Sequence, residues 1–241
     1  MNSQPRSIPF FGKLVAEGFM VVVSILIAFS LEAWWDGRGE EKAYSEAMAS
    51  IRFELQSNRA RLVQEAASVD RITGAGKSLL EMMRERPDLP RIQVPDTLAF
   101  LITSWTPSME VSLGASDALI ASGKLAQVRD AELRLGLAGI RDRFSDVVED
   151  QLVARMIHVE QQAPVLRGLM DMSPFAPLSA GFFTGGNPAT RPIPHLGSVE
   201  FPNTLELRNI IGAKLDWYGS ARSEMTALIE HLDRLSGLAQ P

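Results

Sequence analysis

The residues able to do acid–base or metal chemistry are few in this chain, and their spacing is poor for it. There are three histidines, His158, His195 and His231, and no cysteine. None of the histidines belongs to a His-Glu-x-x-His run, and no two stand at metal-ligand spacing. His158 and Glu160 are two residues apart, so on a helix they face different ways and form no dyad by themselves. His195 lies among Pro192, Pro194 and Gly197, a loop position that fits either a pH sensor or, more often, a plain solvated side chain. Gly-x-Ser-x-Gly is absent, which removes an elbow-type serine nucleophile. The stretch TGAGKS, Thr73 to Ser78, ends like a phosphate-binding loop, but Arg71 stands where its first glycine belongs and the upstream pattern is helical. The aromatic pair in Asp216-Trp217-Tyr218 sits at helical spacing and reads as core. The expectation is a protein that is not an enzyme, with no catalytic, cofactor-binding or metal residues.

Composition narrows the class further. The 241 residues are 46% hydrophobic and 22% charged, enough for a sizeable core and too apolar for disorder. The net charge is −5 and no basic cluster stands out, which argues against nucleic acid as a partner. The lack of cysteine excludes disulfides and thiolate metal sites.

The informative segment is FMVVVSILIAFSLEAWWDGRGE, Phe19 to Glu40. Fourteen uncharged residues separate Glu17 from Glu32, and three readings compete: a retained membrane anchor, a cleaved signal peptide and a soluble core helix. A helix over 14–35 would be about 33 Å long, enough to cross a bilayer. Its eleven Leu, Ile, Val and Phe residues between Leu14 and Leu31 favour insertion by roughly 3 to 6 kcal/mol, against carboxylates placed near the two interfaces. Trp34 and Trp35 suit one aromatic belt, and Phe10 and Phe11 beside Lys13 suit the other. The signal reading has a basic start in Arg6 and Lys13 and a small-x-small site at Ala28-Phe29-Ser30. It is opposed by Glu17 and by the apolar terminus that cleavage would leave. The anchor is the preferred reading. The basic residues flanking the span are nearly balanced (Arg6 and Lys13 before it, Arg38, Lys42 and Arg52 after it), and the short tail favours a cytoplasmic N-terminus. The rest of the chain is then expected to be periplasmic, on a bacterial inner membrane. Glu17 and Glu32 fall about 60° apart around a helix, so one face carries both, for the interface or for a partner span.

Behind the anchor the pattern is helical. Tyr44, Met48, Ile51, Leu55, Leu62, Val69, Ile72, Leu79 and Met83 follow heptad-like spacing, interrupted by Asn58, Glu65 and Gly76. One helix of a bundle and a short parallel coiled coil both fit, the bundle better. Gly37 and Gly39 are expected to loosen the junction, and Gly74 and Gly76 to bend the helix. A short helix is expected from Asp96 to Trp105, and another capped by Ser116 and Asp117 and stopped at Gly123. A long helix capped by Asp130 then carries Leu133, Leu137, Ile140, Phe144, Val148, Leu152, Met156 and Val159, limited by Pro164. The stretch 171–202 is rich in proline and glycine and reads as an irregular loop. The last helix, capped by Asn203, carries Leu207, Ile211, Leu215, Tyr218, Met225, Leu228, Leu232 and Leu235. No alternating strand stands out. The expected fold is all-α: a tail over 1–13, a single transmembrane helix over 14–35, and an antiparallel helical bundle over 36–241.

The pieces EGFMVVVSILIAFSLEAWWDGRGEEK, ALIASGKLAQVRDAELRLGLAGI and LRNIIGAKLDWYGSARSEMTALIEHLDRL resemble a family of uncharacterised bacterial single-span proteins. Its members have an apolar helix running into a Trp-x-x-x-Arg junction and a Ser-Gly-Lys/Asn-Leu turn before a capped helix. Trp34 to Arg38 and Gly123-Lys124-Leu125 carry the resemblance. That family usually has polar amides near the end of its span, where this chain has Glu32. The resemblance implies a retained anchor and a helical remainder, and brings no catalytic residues.

Two functional expectations follow. The first is a membrane-anchored, non-enzymatic helical accessory protein that docks on itself or on a larger membrane assembly. It would contact lipid or partner through Glu17, Glu32, Trp34, Trp35 and Arg38. The second is a small-ligand sensor or enzyme using 171–202 as a pocket lid.

Overall fold

The computed structural model describes residues 10–104, 110–169 and 199–240. It divides into two compact units, 1–49 and 50–240. Among the described residues the fold is all-α apart from one two-stranded ribbon.

Helix α1, Phe10–Glu85, runs without interruption from the apolar segment into the second unit. Gly37, Gly39, Gly74 and Gly76 all lie inside it, and the helix continues without a break at each of them. Gly76 has another purpose. A Cβ there would stand 2.8 Å from Cδ2 of Leu215, so glycine lets two helices approach closely. TGAGKS is likewise continuous helix, not a phosphate-binding loop. From Met48 to Met83 the heptad positions are buried as their spacing requires.

Strand β1, Arg91–Val94, pairs antiparallel with β2, Val199–Pro202, in the register Ile92 to Phe201 and Val94 to Val199. This ribbon corrects the all-loop reading of 171–202 at its last four residues; residues 171–198 lie outside those described. Ile92, Val94 and Phe201 enter the core with Leu79, Met83, Ile102 and Leu207. The ribbon survives at two strands because one face is buried against helices.

Helix α2, Asp96–Ile102, ends three residues short of the expected Trp105, with Thr103 as its C-cap. Helix α3, Gly114–Ala121, has Leu113 at its N-cap position, and a leucine side chain cannot cap. Glu54 of α1 supplies the cap instead: its carboxylate accepts from Ala115 N at 2.6 Å, Ser116 N at 3.1 Å and Ser116 Oγ at 2.6 Å. Ser116 and Asp117, expected as caps, are inside the first turn, and Asp117 pairs with Arg141 at 2.6 Å. One turn along α1, Asn58 donates to Ser112 O at 2.7 Å and accepts from Ser112 N at 3.2 Å. Asn58, one of the polar interruptions of the α1 seam, and Glu54 thus bind the 112–116 segment together. Gly123 takes the left-handed conformation at φ 71° and ends α3, as expected.

Asp130 caps α4, Ala131–Ala138, accepting from Leu133 N at 2.8 Å. The long helix expected there is divided. Gly139 separates α4 from α5, Ile140–Met156, and a π-helical turn, Ile157–Gln162, leads into α6, Ala163–Leu169. In that turn the N–H of Ala163 reaches back five residues to His158 O. The wider ladder lets helix continue through Pro164, which was expected to end it. The last helix, α7, Leu205–Leu238, is capped by Thr204, whose Oγ1 accepts from Leu207 N at 3.2 Å. Asn203, expected as that cap, serves α1: its Nδ2 donates to Arg86 O at 2.8 Å and Met83 O at 3.2 Å.

Contacts along the long helices fix their directions. Arg59 pairs with Asp233, Asp70 with Arg222, and Gly76 meets Leu215, so α7 runs antiparallel to α1. Gly136 meets Leu235 and His158 meets Lys214, so α7 is antiparallel to α4 and α5 as well.

Candidate functional site

In the first unit, α1 leaves most apolar side chains between Phe19 and Trp35 bare. Phe19, Met20, Val21, Val22, Ile25, Leu26, Ile27, Phe29, Leu31, Trp34 and Trp35 are between 49% and 70% exposed. One helix among the described residues is long and apolar enough to cross a membrane, and none of its most apolar window is buried. The two serines within this stretch turn their hydroxyls inward. Ser24 Oγ donates to Met20 O at 2.8 Å and Ser30 Oγ to Leu26 O at 2.7 Å. That gives each hydroxyl proton an acceptor on the helix itself, and the helical ladder satisfies the backbone.

The Trp34–Arg38 spacing has a geometric meaning. One turn apart, they place the guanidinium 5.1 Å from the centre of the Trp34 ring, a cation–π contact. Trp34 and Trp35 stand 5.7 Å apart with planes tilted by 58°. Glu17 and Glu32 are both exposed and share one side of the helix. The structure brings Trp34, Trp35 and Arg38 together and leaves the two carboxylates a span apart, fifteen residues from one another.

The second unit holds a site that sequence reading missed. Lys214 of α7 is only 3% exposed. Its Nζ lies 2.7 Å from Ser104 O, 3.3 Å from Ile102 O, 3.0 Å from Gln162 Oε1 and 3.1 Å from His158 Nδ1. It also sits 5.8 Å from the centre of the Tyr218 ring. Gln162 Nε2 donates to Ile102 O at 3.0 Å, and its Oε1 is 3.0 Å from His158 Nδ1. The π-helical turn creates this arrangement, because it carries both His158 and Gln162 toward α7. Burial pushes the Lys214 amine down from its usual range to about 7. Burial, and then the neighbouring Lys214, hold the His158 imidazole down at about 3, partly opposed by its hydrogen bond to Gln162.

The cluster has little room. The cavity beside it, between Gly76, Ile102, Gln162 and Lys214, holds about 10 Å³, the space of one water. A larger groove of about 490 Å³, lined by Lys77, Glu81, Arg84 and Arg208, lies open on the surface. Among the described residues no three His, Asp or Glu side chains gather as a metal site. His231 is buried in α7, with its imidazole pushed down by burial and by Arg143 and Arg234. His195 lies outside the described residues. Comparison of the chain with protein-family profiles, with curated proteins and with solved structures found no match.

Proposed function

We propose that this chain is a membrane-anchored, non-enzymatic helical accessory protein, held in a bacterial inner membrane by the N-terminal part of α1. The observation that carries the reading is the bare apolar surface from Phe19 to Trp35. Water-soluble monomers rarely leave so long a contiguous apolar surface uncovered. The inward serine hydroxyls and the Trp34–Arg38 pair suit a hydrocarbon core meeting a headgroup layer. In this reading the first residues are cytoplasmic, 50–240 form a periplasmic bundle, and the chain belongs with the single-span proteins it resembles.

The accessory role means docking on a second copy or on a larger membrane protein. Glu17 and Glu32 offer a partner span one acidic side of the helix. Outside the lipid, Leu152, Met156 and Val159 leave an exposed apolar line on successive turns of α5 and the π turn. A photoreactive residue at Glu17 or Glu32, activated in intact membranes, tests this. One dominant crosslinked species is expected, and a population that stays monomeric from both positions would contradict the accessory role.

A further inference from the structure

The open groove of about 490 Å³ between the end of α1 and the start of α7 has a chemically distinct lining. Lys77, Glu81 and Arg84 stand four and then three residues apart, so one face of α1 carries all three. Leu205, Arg208 and Asn209 line the facing side from the first turns of α7, and Leu80 completes the wall. The groove is held at both ends. Leu215 packs on Gly76 at one end. At the other, Asn203 ties the start of α7 to Met83 O and Arg86 O of α1. Its volume is that of a small-molecule site, and its walls are helices pinned in place.

The charge in the groove is unbalanced. Three cations and one carboxylate line it, leaving two positive charges in excess. The carboxylate is already committed, since Glu81 Oε1 accepts from Arg84 at 3.2 Å. The side chains of Lys77 and Arg208 have no hydrogen-bond or ion-pair partner among the described residues. Elsewhere in the bundle an arginine that faces another helix meets a carboxylate. Arg59 meets Asp233, Arg222 meets Asp70, Arg141 meets Asp117 and Arg234 meets Glu132. The chain has more carboxylates than cations, 29 against 24, yet places no spare one here. The stretches 105–109 and 170–198, outside the described residues, add only the carboxylate of Asp171.

We infer that this groove binds a phosphate monoester with a short apolar substituent. Lys77 and Arg208 hold the phosphate, and Leu80 and Leu205 cover the substituent. A guanidinium presents parallel donors that match two phosphate oxygens, and an ammonium adds a point charge. A phosphate monoester carries a charge of about −1.5 to −2 at neutral pH, which matches the excess, whereas a single carboxylate leaves one cation uncompensated. The Asn209 amide offers a further donor. Leu205 is 70% exposed, so an apolar group lying on it removes surface from water. A lipid headgroup and a soluble phosphate ester present this same chemistry. The inference stands apart from the accessory reading, because both walls of the groove belong to the second unit.

Calorimetric titration of the full-length protein in a nonionic detergent tests it, with butyl phosphate, inorganic phosphate and dibutyryl phosphatidic acid as probes. The expected result is saturable binding of butyl phosphate, about tenfold tighter than inorganic phosphate, because its carbons partly leave water. Lys77→Met and Arg208→Met should each weaken it by about tenfold or more, the share of one charge-assisted hydrogen bond. Lys124→Gln, at an exposed lysine outside the groove, should change nothing. Tighter binding of dibutyryl phosphatidic acid than of butyl phosphate assigns the ligand to a lipid headgroup, and the reverse assigns it to a soluble ester. Absence of saturable binding by every probe would overturn the inference. So would unchanged affinity in both groove variants, or an equal loss in Lys124→Gln. Tighter binding of hexaglutamate than of any phosphate probe would also overturn it, since the groove would then fit an acidic protein segment. Lys77 is exposed and Arg208 lies outside the buried core, so the variants keep the fold, which their melting curves check.

Discussion

Removing the Glu54 carboxylate should cost far more than a helix-surface substitution normally does. Glu54 is buried, and it receives three hydrogen bonds from the start of α3. A hydrogen bond to a charged group contributes about 1.5–3 kcal/mol, and a buried donor left without a partner costs about 1–3 kcal/mol. The three bonds hold one segment and share one loss, so they do not add in full. Glu54→Ala should therefore destabilise the protein by about 3–4 kcal/mol. Glu54→Gln keeps one acceptor oxygen but sets an amide against the Ala115 N–H, and should cost about half as much. Asn58→Ala removes the two bonds to Ser112 and should cost about 2 kcal/mol. Both residues clamp the same 112–116 segment, so the double variant should lose about 1 kcal/mol less than the sum of the singles. Denaturant unfolding of the full chain in a mild detergent measures all four. If Glu54→Ala cost under about 0.5 kcal/mol, or if the pair were strictly additive, α3 would not be capped from α1 and the reasoning would fail.

Gly136→Ala would set a Cβ 2.5 Å from Cδ2 of the fully buried Leu235. Overpacking of about 1–3 kcal/mol outweighs the roughly 1 kcal/mol of helix propensity gained. The variant should melt below the wild type, and by less in a Leu235→Ala background. Acidification should lower stability in two stages. The unfolded chain binds a proton on Lys214 that the folded chain refuses between its folded value of about 7 and the ordinary lysine value of about 10.4. Stability therefore rises with pH across that window, by up to about 5 kcal/mol. His158 acts in the same sense between about 3 and about 6.5. Unfolding midpoints measured against pH should show both slopes, with the upper one absent in Lys214→Met.

The apolar framework was legible because its signals are local. Heptad spacing marked Met48 to Met83, a cap residue marked Asp130, and Gly123 marked the end of α3. What escaped depended on partners distant in sequence. Asn203 looks like the cap of the helix it precedes, but it binds the end of α1, more than a hundred residues earlier. The α5 face drifted for a geometric reason. Repeated steps of four residues, from Phe144 to Val148, Leu152 and Met156, rotate by about 40° each and walk off the core. The buried line keeps alternating steps of three and four through Phe144, Val147, Gln151, Ala154 and His158. Two of those positions are polar, so an apolar pattern could not reveal them. His158 looked idle beside Glu160 because its partner, Lys214, stands 56 residues away on another helix. The strand Arg91–Val94 is only four residues long, too short for alternation to register, and its partner lies at the far end of a proline-rich stretch.

The contact of Arg38 with Trp34 follows from their spacing of one helical turn, and Trp35 stands beside them. Whether the apolar helix they close is embedded in lipid is the claim on which the functional account stands. Alkaline carbonate extraction of native membranes, followed by intact-mass analysis of the recovered chain, tests it most directly. The account expects the protein in the membrane pellet with Phe19 to Trp35 still attached. Release into the supernatant, or a mature chain beginning near Leu31, would contradict it.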